Sequence, residues 1–392
     1  MTKSFQKNAL RTETLGESII RELNDEAERH GAINLAQGMP DFPAPDVLKE
    51  AACATIRGDV NQYAITSGAP KLREALAKKY RDWYGLDFDP EHEITVTCGA
   101  TEAMACVALG LFDPGDEVII FEPFYENYGP DTLLAQAKPV FLRLDPPTYD
   151  LDADALRALV TPKTRAIVVN TPNNPTGRVF GREDLQIVAD VCLEHDLIAI
   201  TDEIYEHILY EGEHVPLATL PGMAERTVTI SGMSKTYSVT GWRIGTIVAP
   251  AALTDGIRKI HDFVTVGTAA PLQEACAVGI EQLGRDYYTA MIDEYLSRRD
   301  VTIAGLREAG FQCAMPQGAY YVMADFSAIS DEDDFTFAQR LIREAGVGTV
   351  PGSSFYHSEG AGRSLVRFVF CKREDTLREA AERLCDFAAR GR

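Results

Sequence analysis

Between about residues 94 and 250, short apolar runs alternate with stretches of helical periodicity. The runs cover 93–97, 116–121, 139–142, 165–169, 197–201, 227–230 and 244–249. Each is strand-sized and rich in β-branched residues, and a helical stretch at 101–111 follows the first. Seven such runs separated by helices predict an α/β fold whose mainly parallel seven-stranded sheet is sandwiched by helices. Ligands of such sheets sit beyond the carboxyl ends of the strands. After residue 285 the texture changes: a long helical stretch at 287–309, strands at 319–325 and 366–370, and a last helix at 374–389. This predicts a smaller α+β domain. The expected division is a large domain at 45–285 and a small one formed by 1–44 with 286–392.

Composition narrows the classes. Of 392 residues, 45% are hydrophobic and 25% charged, the balance of a globular chain. No apolar run approaches the ~18 residues of a membrane span, so no membrane partner is expected. Thirty-eight basic residues face 59 acidic ones, a net charge of −21, which repels phosphate backbones and argues against a nucleic-acid partner. The N-terminus leads into charged sequence without an apolar signal core, so a cytoplasmic location is expected. The eight cysteines show no Cys-x-x-Cys spacing and the seven histidines no ligand spacing. Reduced thiols, no disulfide framework and no metal are therefore expected.

Four strand ends carry unusual residues. After 93–97 comes Cys98-Gly99-Ala100-Thr101-Glu102, small residues opening a helix whose free N–H groups suit an anion. After 165–169 comes Asn170-Thr171-Pro172-Asn173-Asn174-Pro175-Thr176-Gly177, which on its own reads equally well as a βα turn. After 197–201 comes Asp202-Glu203-Ile204-Tyr205, where the aspartate suits a helix N-cap as well as a site. After 227–230 comes Ser231-Gly232-Met233-Ser234-Lys235, with Arg243 eight positions beyond the lysine. A lone lysine is normally a solvated residue. Taken together, a phosphate cradle, an amide, a carboxylate and a lysine suit one ligand: pyridoxal 5′-phosphate, with the lysine as Schiff-base partner.

The order Gly-Ala-Thr-Glu-Ala, Asn-Asn-Pro-Thr-Gly, Asp-Glu-Ile-Tyr, Ser-Lys-Thr-Tyr and Gly-Trp-Arg-Ile-Gly resembles the class I/II aminotransferases of the fold-type-I pyridoxal phosphate group. The resemblance spans nearly the whole chain, from Asn34-Leu35-Ala36-Gln37-Gly38 to Val366-Arg367-Phe368. Within the family it looks closest to kynurenine/glutamine, methionine and aromatic aminotransferases.

The resemblance implies Lys235, Asp202 and Tyr205 as catalytic residues. Lys235 binds the cofactor and moves the substrate proton, Asp202 pairs with the ring nitrogen, and Asn174 and Tyr205 donate to the phenolic oxygen. Tyr125 stacks on the ring. Ala100, Thr101 and Arg243 hold the phosphate, and Tyr63 reaches the phosphate of a neighbouring subunit, which implies a homodimer. Arg367 takes the substrate carboxylate with help from Gly38, while Tyr125 and Asn174 also face the substrate. Gly232 stands where many members carry a phosphate-binding serine; Ser231 is assigned as its replacement, with Ser234 as the other choice. The first thirty or so residues are expected to order over the substrate.

The activity so implied moves an amino group from an L-amino acid to a 2-oxo acid in a ping-pong cycle. No arginine can be assigned from sequence to a side-chain carboxylate, so a neutral, aromatic or sulfur-containing donor is expected. A cysteine-conjugate β-lyase on the same residues is the alternative. A ligand-sensing regulator would need an added basic helix-turn-helix domain, and the fold begins by about residue 30, leaving no room for one.

Overall fold

The computed structural model describes residues 8, 9, 12, 16 and 18–390. Seven strands form the large sheet: β1 (Ile94–Cys98), β2 (Glu117–Glu122), β3 (Lys138–Arg143), β4 (Thr164–Asn170), β5 (Ile198–Asp202), β6 (Thr227–Gly232) and β7 (Ile244–Val248). Their order is β1-β7-β6-β5-β4-β2-β3. β7 runs antiparallel to both of its neighbours, and every other pair is parallel.

The strand residues alternate between two cores. Ile119, Phe121, Ile167, Val169 and Ala199 face a cluster that includes Leu185 and Val188 of helix Arg182–His195. Val118, Ile120, Ala166, Val168, Ile198 and Ile200 face the other, which helices Gly99–Leu111 and Ala251–Val264 cover. Both faces are thus dry, which is why the runs read as continuous rather than alternating apolar sequence. Each buried Val, Ile or Phe contributes roughly 1.5–3 kcal/mol from burial, which conformational entropy largely offsets.

The strand ends differ slightly from the pattern. The first helix of the sheet begins at Gly99 rather than at 101. β5 continues through Asp202, and a turn rather than a helix follows, so Asp202 is not an N-cap.

Beyond the sheet, helix Arg285–Glu308 packs against the last helix, Glu374–Arg390. A four-stranded antiparallel sheet comprises β8 (Gln312–Cys313), β9 (Tyr321–Asp325), β10 (Val350–Pro351) and β11 (Leu365–Val369), in the order β10-β11-β9-β8. β9 starts two residues later than the pattern suggests, because Ala319 has φ +55°, outside extended conformation. Ile33–Asn34 pairs in parallel with Val347–Gly348, which ties the N-terminal segment to this part. Among the described residues, no helix is long and apolar enough to cross a membrane.

Candidate active site

The carboxyl ends of β1, β4, β5 and β6 converge on one pocket of about 120 Å³. Ala100, Thr101, Tyr125, Asn174, Asp202, Tyr205, Ser234, Lys235 and Arg243 all line it. A wider outer cleft of about 450 Å³ shares Thr101, Tyr125, Asn174, Lys235 and Arg243, and adds Gly38 and Arg367. The structure therefore brings together residues that lie as far apart in sequence as 38 and 367.

One end of the inner pocket is built for an anion. Gly99, with φ +79°, begins the helix after β1, and a side chain there would stand 2.2 Å from Arg243 Nη2. A side chain at Gly245 would stand 2.3 Å from the Gly99 carbonyl carbon. The two glycines let the helix start press against β7 and let Arg243 lie across it. Arg243 holds φ +56° and its Nη1 donates to Thr240 O at 3.1 Å. Cys98 provides no side-chain cap for the helix. Uncapped N–H groups, the positive helix end, a guanidinium and the Ser234 hydroxyl form a donor set for a phosphate.

Ser231 does not belong to that set. It sits within β6, and its Oγ donates to Glu206 Oε1 at 2.7 Å, in a buried group with Lys79 and Tyr84. Ser234, past the strand end, lines the pocket instead. The assignment of Ser231 to the phosphate is thus corrected: Glu206 claims its hydroxyl.

At the other end, Asp202 is buried. Burial pushes its carboxyl up, opposed by the Tyr128 hydroxyl, which donates to Oδ2 at 2.7 Å, by the Ile204 N–H and by the Lys235 charge. A buried carboxylate held by neutral donors suits a cationic ligand atom. The Lys235 amine is enclosed although part of its side chain faces the pocket. Burial, chiefly, pushes it down to about 8, with Arg243 and Arg367 adding to the fall and Cys371 and Asp202 opposing it. Its Nζ donates to Gly38 O at 3.4 Å.

Arg367, on β11, is 1% exposed. Nη1 donates to Asn174 Oδ1 at 2.9 Å and Nη2 to Ala36 O at 2.5 Å, while Nε is buried with no partner among the described residues. A guanidinium only donates, so Asn174 must turn its oxygen to Arg367 and its NH₂ the other way. Tyr205 and Tyr321 share a hydroxyl–hydroxyl bond of 2.8 Å. A side chain at Gly38 would stand 2.3 Å from the Tyr321 oxygen, so only glycine fits there.

Tyr63 lies elsewhere. It is 90% exposed, in a groove with residues 267–271, and does not line the pocket of its own chain. Of the expected N-terminal cover, Ser18, Ile20 and Arg21 line the outer cleft. Residues 1–7, 10, 11, 13–15 and 17 lie outside the described residues.

Four residues have a place at the site that the sequence alone does not assign. Tyr128 follows Tyr125 by three positions and reaches Asp202. Asn170 takes the Asn174 N–H at 2.8 Å and gives its own amide to Asp202 O at 2.9 Å, which locks the ends of β4 and β5 together. Tyr320 donates to Gly38 O at 2.9 Å, and Tyr321 shapes the same corner. The aromatic pair Tyr320-Tyr321 was the available signal.

The helix start is also tied outward. Glu102 takes the Cys98 N–H at 2.5 Å and pairs with His261 Nδ1 at 2.6 Å, and the opposite ring nitrogen meets Thr66 O at 2.9 Å. Cys106 completes a cluster whose atoms lie within 4.8 Å of one another, the thiol donating to Glu102 Oε1 at 3.2 Å. Burial works against charge on His261, but Glu102 outweighs it and its pKa is raised.

A phosphate cradle, a buried carboxylate and an enclosed amine on this sheet define a pyridoxal phosphate-dependent transferase. The sequence profile described as aminotransferase class I and II matches residues 30–384. The structure of N-succinyldiaminopimelate aminotransferase from Mycobacterium tuberculosis is similar with a TM-score of 0.94 and 40% identity, over 97% of this chain and 99% of that one. The methionine aminotransferase of Escherichia coli is 37% identical over 371 residues, 94% of this chain and 96% of its own. Kynurenine–oxoglutarate transaminase 1 of Homo sapiens is 36% identical over 392 aligned positions, 91% of this chain and 93% of its own. The chain belongs to the class I and II aminotransferases, whose members use pyridoxal 5′-phosphate to transfer amino groups.

Proposed function

We propose that this aminotransferase works by a ping-pong cycle on a neutral, aromatic or sulfur-containing L-amino acid and a 2-oxo acid. The observation that carries the site assignment is Arg367: a buried guanidinium that meets only the neutral acceptors Asn174 Oδ1 and Ala36 O and lines the cleft that also holds Lys235. An unpaired buried cation is costly unless an anion completes it, and the substrate α-carboxylate does so.

When bound, pyridoxal phosphate supplies an aldehyde for the incoming amine and a ring that accepts the electrons released at the substrate α-carbon. Lys235 would anchor it, and its amine would move a proton at that α-carbon as base and then as acid. Asp202 would keep the ring nitrogen protonated. Asn174, with its NH₂ turned from Arg367, and Tyr205 would donate to the phenolic oxygen. Tyr125 would face the ring, and Ala100, Thr101, Ser234 and Arg243 would hold the phosphate. Gly38 admits the substrate beside Arg367.

The donor class rests on Ile20, Met39 and Tyr125, which give the outer cleft apolar surface. The names of the methionine and kynurenine relatives point the same way.

We further propose a homodimer in which Tyr63 completes the neighbouring site. Tyr63, Ile65, Phe263, Val264 and Val266 are all exposed, from 49% to 91%, on two segments that Thr66 and His261 bind together. Such a patch is unusual on a monomer. A division near residues 45 and 285 and a cytoplasmic location belong to the same reading.

Borohydride fixation of the holoenzyme followed by peptide mass mapping tests the assignment. The cofactor mass is expected on Lys235 and absent from Lys235→Ala; attachment at another lysine would overturn it.

A further inference from the structure

The outer cleft carries a cation that the roles above leave unused. Helix Ile19–Arg29 starts at Ser18, whose Oγ accepts from Arg21 N at 3.2 Å and donates to Glu126 at 2.9 Å. This bond pins the helix start to the segment that carries Tyr125. Ser18, Ile20 and Arg21 thereby become one wall of the cleft that contains Lys235, Asn174 and Arg367. Arg367 is committed to the α-carboxylate and Arg243 to the phosphate. Arg21 is exposed, its backbone N–H is taken by Ser18, and its guanidinium has no partner among the described residues.

A ping-pong enzyme passes two different substrates through one pocket. An apolar donor side chain can lie on Ile20, Met39 and Tyr125 while the Arg21 guanidinium stays in water at the rim, at little cost. A dicarboxylic 2-oxo acid has a second carboxylate, and that group needs a cation to leave water. Glu126 stands on the same wall and repels it. Among the described residues Arg21 is the remaining cation that lines the cleft with Glu126.

We propose that Arg21 is the residue that admits dicarboxylic 2-oxo acids as amino acceptors, binding the distal carboxylate while Arg367 holds the proximal one. The proposal rests on the site assignment above and extends it to the second substrate. An exposed arginine of this kind serves one half-reaction and is idle in the other.

The test measures the two half-reactions of the holoenzyme separately, with methionine as donor. The acceptors are 2-oxoglutarate and the neutral 2-oxo-4-methylthiobutanoate. Arg21→Ala is expected to raise the KM for 2-oxoglutarate about threefold to fivefold, the upper range for loss of an exposed charge pair. It should change the donor and the neutral acceptor less than about twofold. Arg21→Lys should retain part of the preference. Glu126→Gln in the Arg21→Ala background should recover part of the lost affinity, because the opposing charge is gone. Added salt should weaken 2-oxoglutarate in the native enzyme and much less in Arg21→Ala.

Arg367→Ala serves as the control and should weaken both acceptors. If it does and Arg21→Ala weakens neither, or weakens both equally, the Arg21 proposal is overturned alone. If Arg367→Ala leaves both acceptors unaffected, the site assignment fails and the proposal falls with it.

Discussion

Arg367 Nη1 donates to Asn174 Oδ1 at 2.9 Å, a buried bond between residues 193 positions apart. It joins the group proposed to receive the substrate carboxylate to an amide of the inner pocket, so the two parts of the cleft share one rigid element. Arg367→Ala should therefore lower kcat/KM by on the order of a hundredfold or more, as truncation of a buried charged partner does. Asn174→Ala should cost less. The double variant should lose less than the sum of the two, since residues in contact couple by about 0.5–3 kcal/mol. Strictly additive losses would contradict the linkage.

Tyr128 acts on Asp202 through its hydroxyl. That bond favours the carboxylate, so Tyr128→Phe should raise the Asp202 pKa further. The neutral acid then gains population as pH falls. Cofactor retention by the variant should fall further below wild type at pH 5.5 than at pH 8. Equal loss at both pH values, measured by dialysis and absorbance, would point to packing instead.

Burial places the Lys235 amine near 8 in the protein without cofactor. Only the neutral amine is nucleophilic, so its modification by an aldehyde reagent and borohydride should accelerate up to about pH 8 and level off above it. Asp202→Asn removes an anion that favours the ammonium, and should move that profile to lower pH. Mass spectrometry of the Lys235 peptide follows the rate. A profile that keeps rising to pH 10 contradicts the enclosure of the amine.

The turn carrying Tyr205 hangs on a buried ion pair, Lys79 Nζ to Glu206 Oε1 at 2.5 Å. Burial raises the Glu206 pKa, but the Lys79 charge, the neighbouring His207 and His214 and the Lys79 hydrogen bond together more than reverse it, and the net shift is downward. A lowered folded-state pKa means stabilisation that is complete above the ordinary glutamate value, about 4.3, and is lost as pH falls below it. Lys79→Met should cost about 3–5 kcal/mol in urea unfolding, because it strands a buried carboxylate. Lys79→Met with Glu206→Gln should recover much of that loss.

The sheet was legible because each strand is buried on both faces and therefore reads as an unbroken apolar run. Lys235 and Asp202 were legible as polar residues at the ends of such runs. What the pattern could not show is pairing across long stretches of chain. Ser231 looked free for a phosphate, yet Glu206 and Lys79, distant in sequence, meet it inside the fold. Tyr128 reads as a core tyrosine until β5 places Asp202 against it. Arg21 carries no signal of its own in the sequence; the Ser18–Glu126 bond holds its helix start at the cleft.

If Tyr63 completes the neighbouring site, Tyr63→Ala and Lys235→Ala subunits should complement each other. A mixed dimer has one site with its own Lys235 and the partner's intact tyrosine. Refolding the two variants together should restore roughly a quarter of native activity, since half of the dimers are mixed and each has one good site. Activity no higher than that of the separate variants would mean that each chain works alone.

Two half-reactions at Lys235 are the core of the account, and nitrogen transfer tests them most directly. Holoenzyme is mixed with a ¹⁵N-labelled donor amino acid without acceptor, freed of small molecules, and then given an unlabelled 2-oxo acid. The account predicts one donor-derived 2-oxo acid released per site in the first step and ¹⁵N in the newly formed amino acid in the second, both abolished in Lys235→Ala. Release of labelled ammonia in the first step, with no label in the new amino acid, would contradict it.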